Sequence, residues 1–152
     1  MKGADGNLPM FGAVKSGLES GFMLPHVTAA SLASENKTLA HPSSVDSIST
    51  SGGQEDIVSM APWAGRSCLK IIENVRRILA IELLISGNIN YRFHQKLSSS
   101  KSLKPLMSLL RQSKVLSKTD RVFAKDIETV EGHIVTNKVF SIVNKINKVS
   151  RV

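Results

Sequence analysis

Ile57-Val-Ser-Met-Ala-Pro-Trp-Ala-Gly-Arg-Ser-Cys-Leu-Lys-Ile-Ile-Glu-Asn-Val-Arg-Arg-Ile-Leu-Ala-Ile-Glu-Leu-Leu-Ile-Ser86 is the stretch that decides the fold. Ile57, Met60, Ala64, Cys68, Ile71, Ile72, Val75, Ile78, Leu79 and Ile85 recur at intervals of three and four, the spacing that brings side chains onto one face of a helix. The pattern predicts one long core-facing helix over 57–86, with Pro62 tolerated in its first turns and Gly87 beyond its end. At ~1.5 Å per residue it would run on the order of 45 Å, more than a lone chain of 152 residues needs. Companion helices, from a bundle or from other chains, are therefore expected. Glu73, Arg76, Arg77 and Glu82 argue against a membrane span, since charged groups near a bilayer centre cost roughly 2.5–3.5 kcal/mol each.

Working outward, residues 1–21 are Gly-rich with Pro9 and read as a loop leading into the fold. Residues from 22 to about 40 are rich in Ala and Ser and predict a helix stopped near His41-Pro42. After the long helix, Ser98-Ser99-Ser100 reads as a linker, 103–116 as a short amphipathic helix with Pro105 in its first turn, and 120–122 as a break. A final helix is expected from about Asp126 through Ile146, weakened by Gly132. Aromatics are scarce and Leu, Ile, Val, Ala and Ser plentiful, a composition of helices rather than sheets. The expected fold class is all-α, a long-helix bundle.

A single cysteine, Cys68, excludes an intramolecular disulfide and suits a reducing, cytoplasmic location. Its place in the apolar stripe predicts a packed thiol rather than a nucleophile. His26, His41, His94 and His133 are scattered without metal-ligand spacing, so no metal is expected. The two Ser-x-x-Lys matches, Ser34 to Lys37 and Ser67 to Lys70, lack the companion motifs of acyl-transfer enzymes. Neither a Walker loop nor a Gly-x-Gly-x-x-Gly occurs. The net charge of +8 is uneven: residues 1–56 carry three Lys and six acids, and 57–152 carry seventeen Lys/Arg and six acids. With little aromatic interleaving, that excess reads as a solvated helix face before it reads as a nucleic-acid surface.

Between the first two helices lies a Ser/Gly-rich loop, 41–56, ending in Gln54, Glu55 and Asp56 after Gly52-Gly53. Acids at this spot suit the positive end of a following helix, and capping is the commoner use of such residues. The alternative is chemistry, which loops held by rigid elements carry disproportionately.

Ser20-Gly-Phe-Met23, Thr28-Ala-Ala30, Leu32-Ala-Ser-Glu-Asn-Lys37, His41-Pro-Ser-Ser-Val-Asp-Ser47, Gln54-Glu-Asp56, Val58-Ser-Met60, Glu73-Asn74 and Leu79-Ala-Ile-Glu82 together resemble the histidine ammonia-lyase family, within the aromatic amino acid ammonia-lyases. The resemblance runs from residue 7 to about 92, echoes weakly at Asp120-Arg121 and 126–128, and covers only the C-terminal part of that family's chains. It implies a helical, cytoplasmic homotetramer converting L-histidine to trans-urocanate and ammonia in histidine degradation. It divides the chain into a leading loop (1–21), an ammonia-lyase-like helical core with the site loop at 41–56 (22–97) and a helical tail (98–152). Glu55 occupies the acidic position that faces substrate in such enzymes, as catalytic or substrate-binding group, with Gln54 and Asp56 orienting the loop. Ile57 stands where the family commonly has histidine, and Lys125 where it commonly has proline.

The family's electrophile, 4-methylideneimidazole-5-one, forms from an internal Ala-Ser-Gly that these 152 residues do not contain. Thr50-Ser51-Gly52 resembles it only superficially. The expectation is a segment inactive alone, needing a homo-oligomer or a complementing N-terminal polypeptide. A non-catalytic helical remnant or interaction module is the rival, and nucleic-acid binding ranks last.

Overall fold

The structure is a computed structural model that describes residues 8–149, with side chains through Ile146. Five α-helices follow one another: α1 (Met23–Leu39), α2 (Ala61–Phe93), α3 (Lys104–Gln112), α4 (Ala124–Val135) and α5 (Lys138–Val149). No strand occurs among the described residues. The all-α expectation holds. α2 is the axis, about 50 Å long for its 33 residues, with α1 and α4 packed along it.

The boundaries of α2 differ from those the pattern predicts. It begins at Ala61, where Pro62 occupies the first turn, because proline lacks the N–H that this turn leaves unpaired. It runs through Gly87 to Phe93. Gly87 is buried, and a Cβ there would lie 2.5 Å from Leu110 Cδ1. That glycine admits α3 to the helix surface and does not end the helix. The single helix expected near the C-terminus is two, broken where Asn137 takes a left-handed φ of 58°, a conformation Asn tolerates better than most residues. α3 stops at Gln112, earlier than residue 116: Lys114 is left-handed at φ 57°, and Val115 N–H reaches back to Leu110 C=O, the bond that closes a Schellman end.

The core joins Phe22, Ala80, Leu84, Leu110, Val115, Phe123 and Val130. The α2 face that enters it overlaps the predicted stripe at Ile85, which packs against the core, but not along the rest of its length. Ile57, Ile72, Val75 and Leu79 are exposed, as is Cys68, so the packed-thiol expectation fails. Instead Ala80, Ile81 and Leu84 are buried beside polar Asn74, Asn88 and Arg92. Each of those polar groups is paired, which makes burial tolerable. Asn74 Nδ2 donates to Glu35 Oε2 at 2.7 Å and Asn36 Oδ1 at 2.9 Å, tying α1 to α2. Asn88 donates to Leu84 C=O and Val115 C=O and accepts from Ser117 N–H.

Arg92 ties the segment before α1 to the segment between α3 and α4. It donates to Ser117 C=O at 2.8 Å, Gly12 C=O at 3.0 Å and Thr119 C=O at 3.0 Å. Asp120 lies 3.8 Å from its Nη1 and also accepts Gly21 N–H at 2.7 Å. The segment before α1 is thus fastened into the fold: Gly12 and Ala13 are buried, and Phe22 N–H donates to Phe11 C=O at 2.8 Å.

Candidate functional site

The loop that joins α1 to α2 carries Gln54, Glu55 and Asp56, and it is closed twice. At its base, Ser47 Oγ accepts Val58 N–H at 2.8 Å and donates to Val58 C=O at 3.3 Å. Toward its tip, Thr50 and Glu55 exchange backbone bonds, Thr50 N–H to Glu55 C=O at 3.0 Å and Glu55 N–H to Thr50 C=O at 3.3 Å. Between them Ser51, Gly52 and Gly53 have φ values of 55°, 66° and 89°. Three left-handed residues in succession turn the chain through a tight reversal, and two of them are glycines, for which that region carries no Cβ penalty. Glu55 leaves this reversal at a set point rather than hanging from a slack segment.

Capping does not account for these acids. α2 starts at Ala61 with Met60 before it, and its first turn holds no acidic residue. Gln54, Glu55 and Asp56 are all exposed, and the Glu55 carboxylate has no hydrogen-bond or ion-pair partner among the described residues. An exposed, unpaired carboxylate on a doubly closed loop is free to meet something arriving from outside.

Thr50-Ser51-Gly52 does not fit the cyclised group whose precursor it resembles. The Thr50 carbonyl is engaged by the N–H groups of Gly53, at 3.1 Å, and Glu55, and all three residues are exposed. This is a hairpin tip. Nor does a described cavity adjoin Glu55. One of about 810 Å³, between α1, α4 and the segment before α4, is lined by Leu24, Pro25, Arg77, Asp120 and Phe123 among others, all distant in the chain from the loop.

The histidines do not converge: no group of three or more His, Cys, Asp or Glu placed to hold a metal occurs among the described residues. His133 instead contacts Ser113 Oγ at 2.7 Å. Because the Ser113 proton goes to Leu109 C=O at 2.8 Å, the ring nitrogen is the donor in this contact. Burial, aided by Lys138, pushes the His133 pKa below its ordinary value. Ser47 was present in the quoted motif, but periodicity and charge offer no signal for a side chain whose partner is the backbone of Val58. Among the described residues no helix is long and apolar enough to cross a membrane.

A family model described as aromatic amino acid lyase matches residues 1–112. Histidine ammonia-lyase of Rhodospirillum rubrum is 48% identical over 128 residues, covering 84% of this chain and 24% of its own length. The Bos taurus enzyme of the same name is 45% identical, covering 89% of this chain and 20% of its own. Among solved structures, histidine ammonia-lyase from Trypanosoma cruzi superimposes with a TM-score of 0.85 at 40% identity, over 93% of this chain and 28% of that one. Ergothionase from Treponema denticola, in complex with desmethyl-ergothioneine sulfonic acid, gives 0.72 at 29% identity, over 84% and 26%.

Proposed function

We propose, from the premise that this chain belongs to the aromatic amino acid lyase family, that it is the C-terminal segment of a histidine ammonia-lyase and contributes Glu55 to an active site completed by other polypeptide. The observation that carries the reading is the exposed, unpaired carboxylate held on the doubly closed loop. The chain spans about a quarter or less of the relatives it matches, and Glu55 is exposed and does not line the cavity between α1 and α4 described above. A site there needs further walls.

In that setting a carboxylate can pair with the ammonium or imidazole N–H of L-histidine, or take a proton from the β-carbon. The electrophile, 4-methylideneimidazole-5-one, would come from polypeptide carrying Ala-Ser-Gly, so the 152 residues alone form no urocanate. Histidine is preferred over ergothioneine as substrate because the histidine ammonia-lyases are the nearer in sequence of the relatives described.

The exposed apolar side chains of α2, Leu69, Ile72, Val75 and Leu79, favour assembly into a homo-oligomer, or with a complementing N-terminal polypeptide, since contiguous exposed apolar patches mark interaction surfaces; a cytoplasmic location is part of the same proposal. Such a patch is also what a non-catalytic helical module would show. Co-expression with the Rhodospirillum rubrum enzyme lacking its C-terminal quarter separates the two. Urocanate should form only in the pair, and Glu55→Gln should lower it about 10²–10⁴-fold. Urocanate from the chain alone, or full activity of the Gln variant in the pair, would overturn the proposal. Self-association unchanged by that substitution, with no activity in any pair, marks the module.

A further inference from the structure

We propose that the cleft between the C-terminal end of α2 and α3 binds a small anion charged at two or more points, of the pyrophosphate class. The cleft has a volume of about 540 Å³ and is lined by Tyr91, His94, Lys104, Ser108, Arg111 and Lys118 among others, with no carboxylate in its walls. Four parts of the chain converge there: the end of α2, the segment between α2 and α3, one face of α3, and the loop after α3. Lys104, Ser108 and Arg111 are spaced by four and three residues, so they share a helix face extending on the order of 10 Å.

Four carboxylates of the fold are already paired, Glu73 with Lys70, Glu131 with Arg77, Asp120 with Arg92 and Asp126 with Arg121, and none of any kind lines the cleft. The side chains of His94, Lys104, Arg111 and Lys118 have no hydrogen-bond or ion-pair partner among the described residues. A concave surface of one sign concentrates its field and draws in counter-charge.

The number of cations selects the ligand. A lone carboxylate brings one charge to a wall holding Lys104, Arg111 and Lys118, whereas an anion with two phosphoryl groups brings several, and the Arg111 fork can take one of those groups bidentately. The volume is that of a small-molecule site. Tyr91 and His94 are the ring side chains in the walls, few for the stacking platform that single-stranded nucleic acid uses.

Equilibrium dialysis of the 152-residue chain against labelled pyrophosphate, at about 50 mM salt to limit screening, tests this. Saturable binding of one pyrophosphate per chain is expected, weakened about tenfold by Arg111→Gln and lost when Lys104→Gln, Arg111→Gln and Lys118→Gln are combined. Lys70→Gln should change nothing. All three cleft residues are exposed, and unchanged circular dichroism of the triple variant would exclude unfolding as the cause of any loss. Binding that survives the triple variant, or falls equally in Lys70→Gln, overturns the site. Orthophosphate binding as tightly as pyrophosphate overturns the two-point ligand, and duplex DNA displacing pyrophosphate through the same side chains overturns the small-anion assignment.

Discussion

The Arg92 guanidinium lies over the Phe22 ring, 4.6 Å from its centroid, and the Phe22 ring in turn meets Phe123 at 4.8 Å. One cation thereby links the start of α1, the end of α2 and the start of α4. Burial pushes the Arg92 pKa down, and the charges of Asp120 and Glu19 oppose that. Its side chain is 1% exposed. Arg92→Met would leave the Gly12, Ser117 and Thr119 carbonyls without this donor and Asp120 without its cation. The expected loss is about 3–5 kcal/mol, read as a lower urea midpoint. A midpoint equal to that of the parent would show that the cluster does not hold the fold.

Two glycines of α2 should respond oppositely to alanine. At Gly87 the new methyl group would crowd Leu110 Cδ1 and stand 3.4 Å from Leu116 Cδ2, so overpacking outweighs the gain in helix propensity and stability falls by about 1–2 kcal/mol. At Gly65 nothing lies within 4 Å of the new atom. There Gly65→Ala should raise stability by about 0.5–1 kcal/mol. Thermal melting of the two variants checks both signs.

Acid should weaken the fold in two windows. The His133 pKa is held below 6.5 by burial and then by Lys138, so the unfolded chain takes up protons that the folded chain does not. Its contribution is whole above pH 6.5 and is lost as pH falls from there through the folded value. Glu19 is lowered from 4.5, first by the backbone N–H of Lys15 with burial opposing, and then by that of Val14; its contribution disappears below that value. Urea midpoints from pH 7 to 5 should slope downward in the parent and less so in His133→Gln. Parallel slopes would remove His133 from the account.

Ser47→Ala should leave the fold intact and blunt catalysis in an assembled enzyme. The hydroxyl is exposed and among the described residues bonds only to Val58, so its removal loosens the base of the loop without opening the core. Misplacing a reacting group by about 1 Å can cost ~10²-fold, and a tenfold or greater fall in kcat is expected with the melting temperature unchanged. A wild-type kcat would mean that the Thr50 to Glu55 pairing alone positions the carboxylate.

Much of the fold was legible in the residues alone, because helix periodicity, Pro62, Pro105 and the break around 120 are local signals acting over a turn or two of chain. The quoted motifs likewise carried the family and the loop that bears Glu55. What the chain order could not disclose was which side of α2 turns inward. Asn74, Asn88 and Arg92 are buried because their partners arrive from as far as 80 residues away, and a count of apolar positions sees no partners. Hence Ile72, Val75 and Leu79, the strongest part of the apolar pattern, face outward. The meeting of His94, Lys104, Arg111 and Lys118 was decided the same way. Basic residues spread along a sequence read as a solvated surface until folding brings the end of one helix against the face of another.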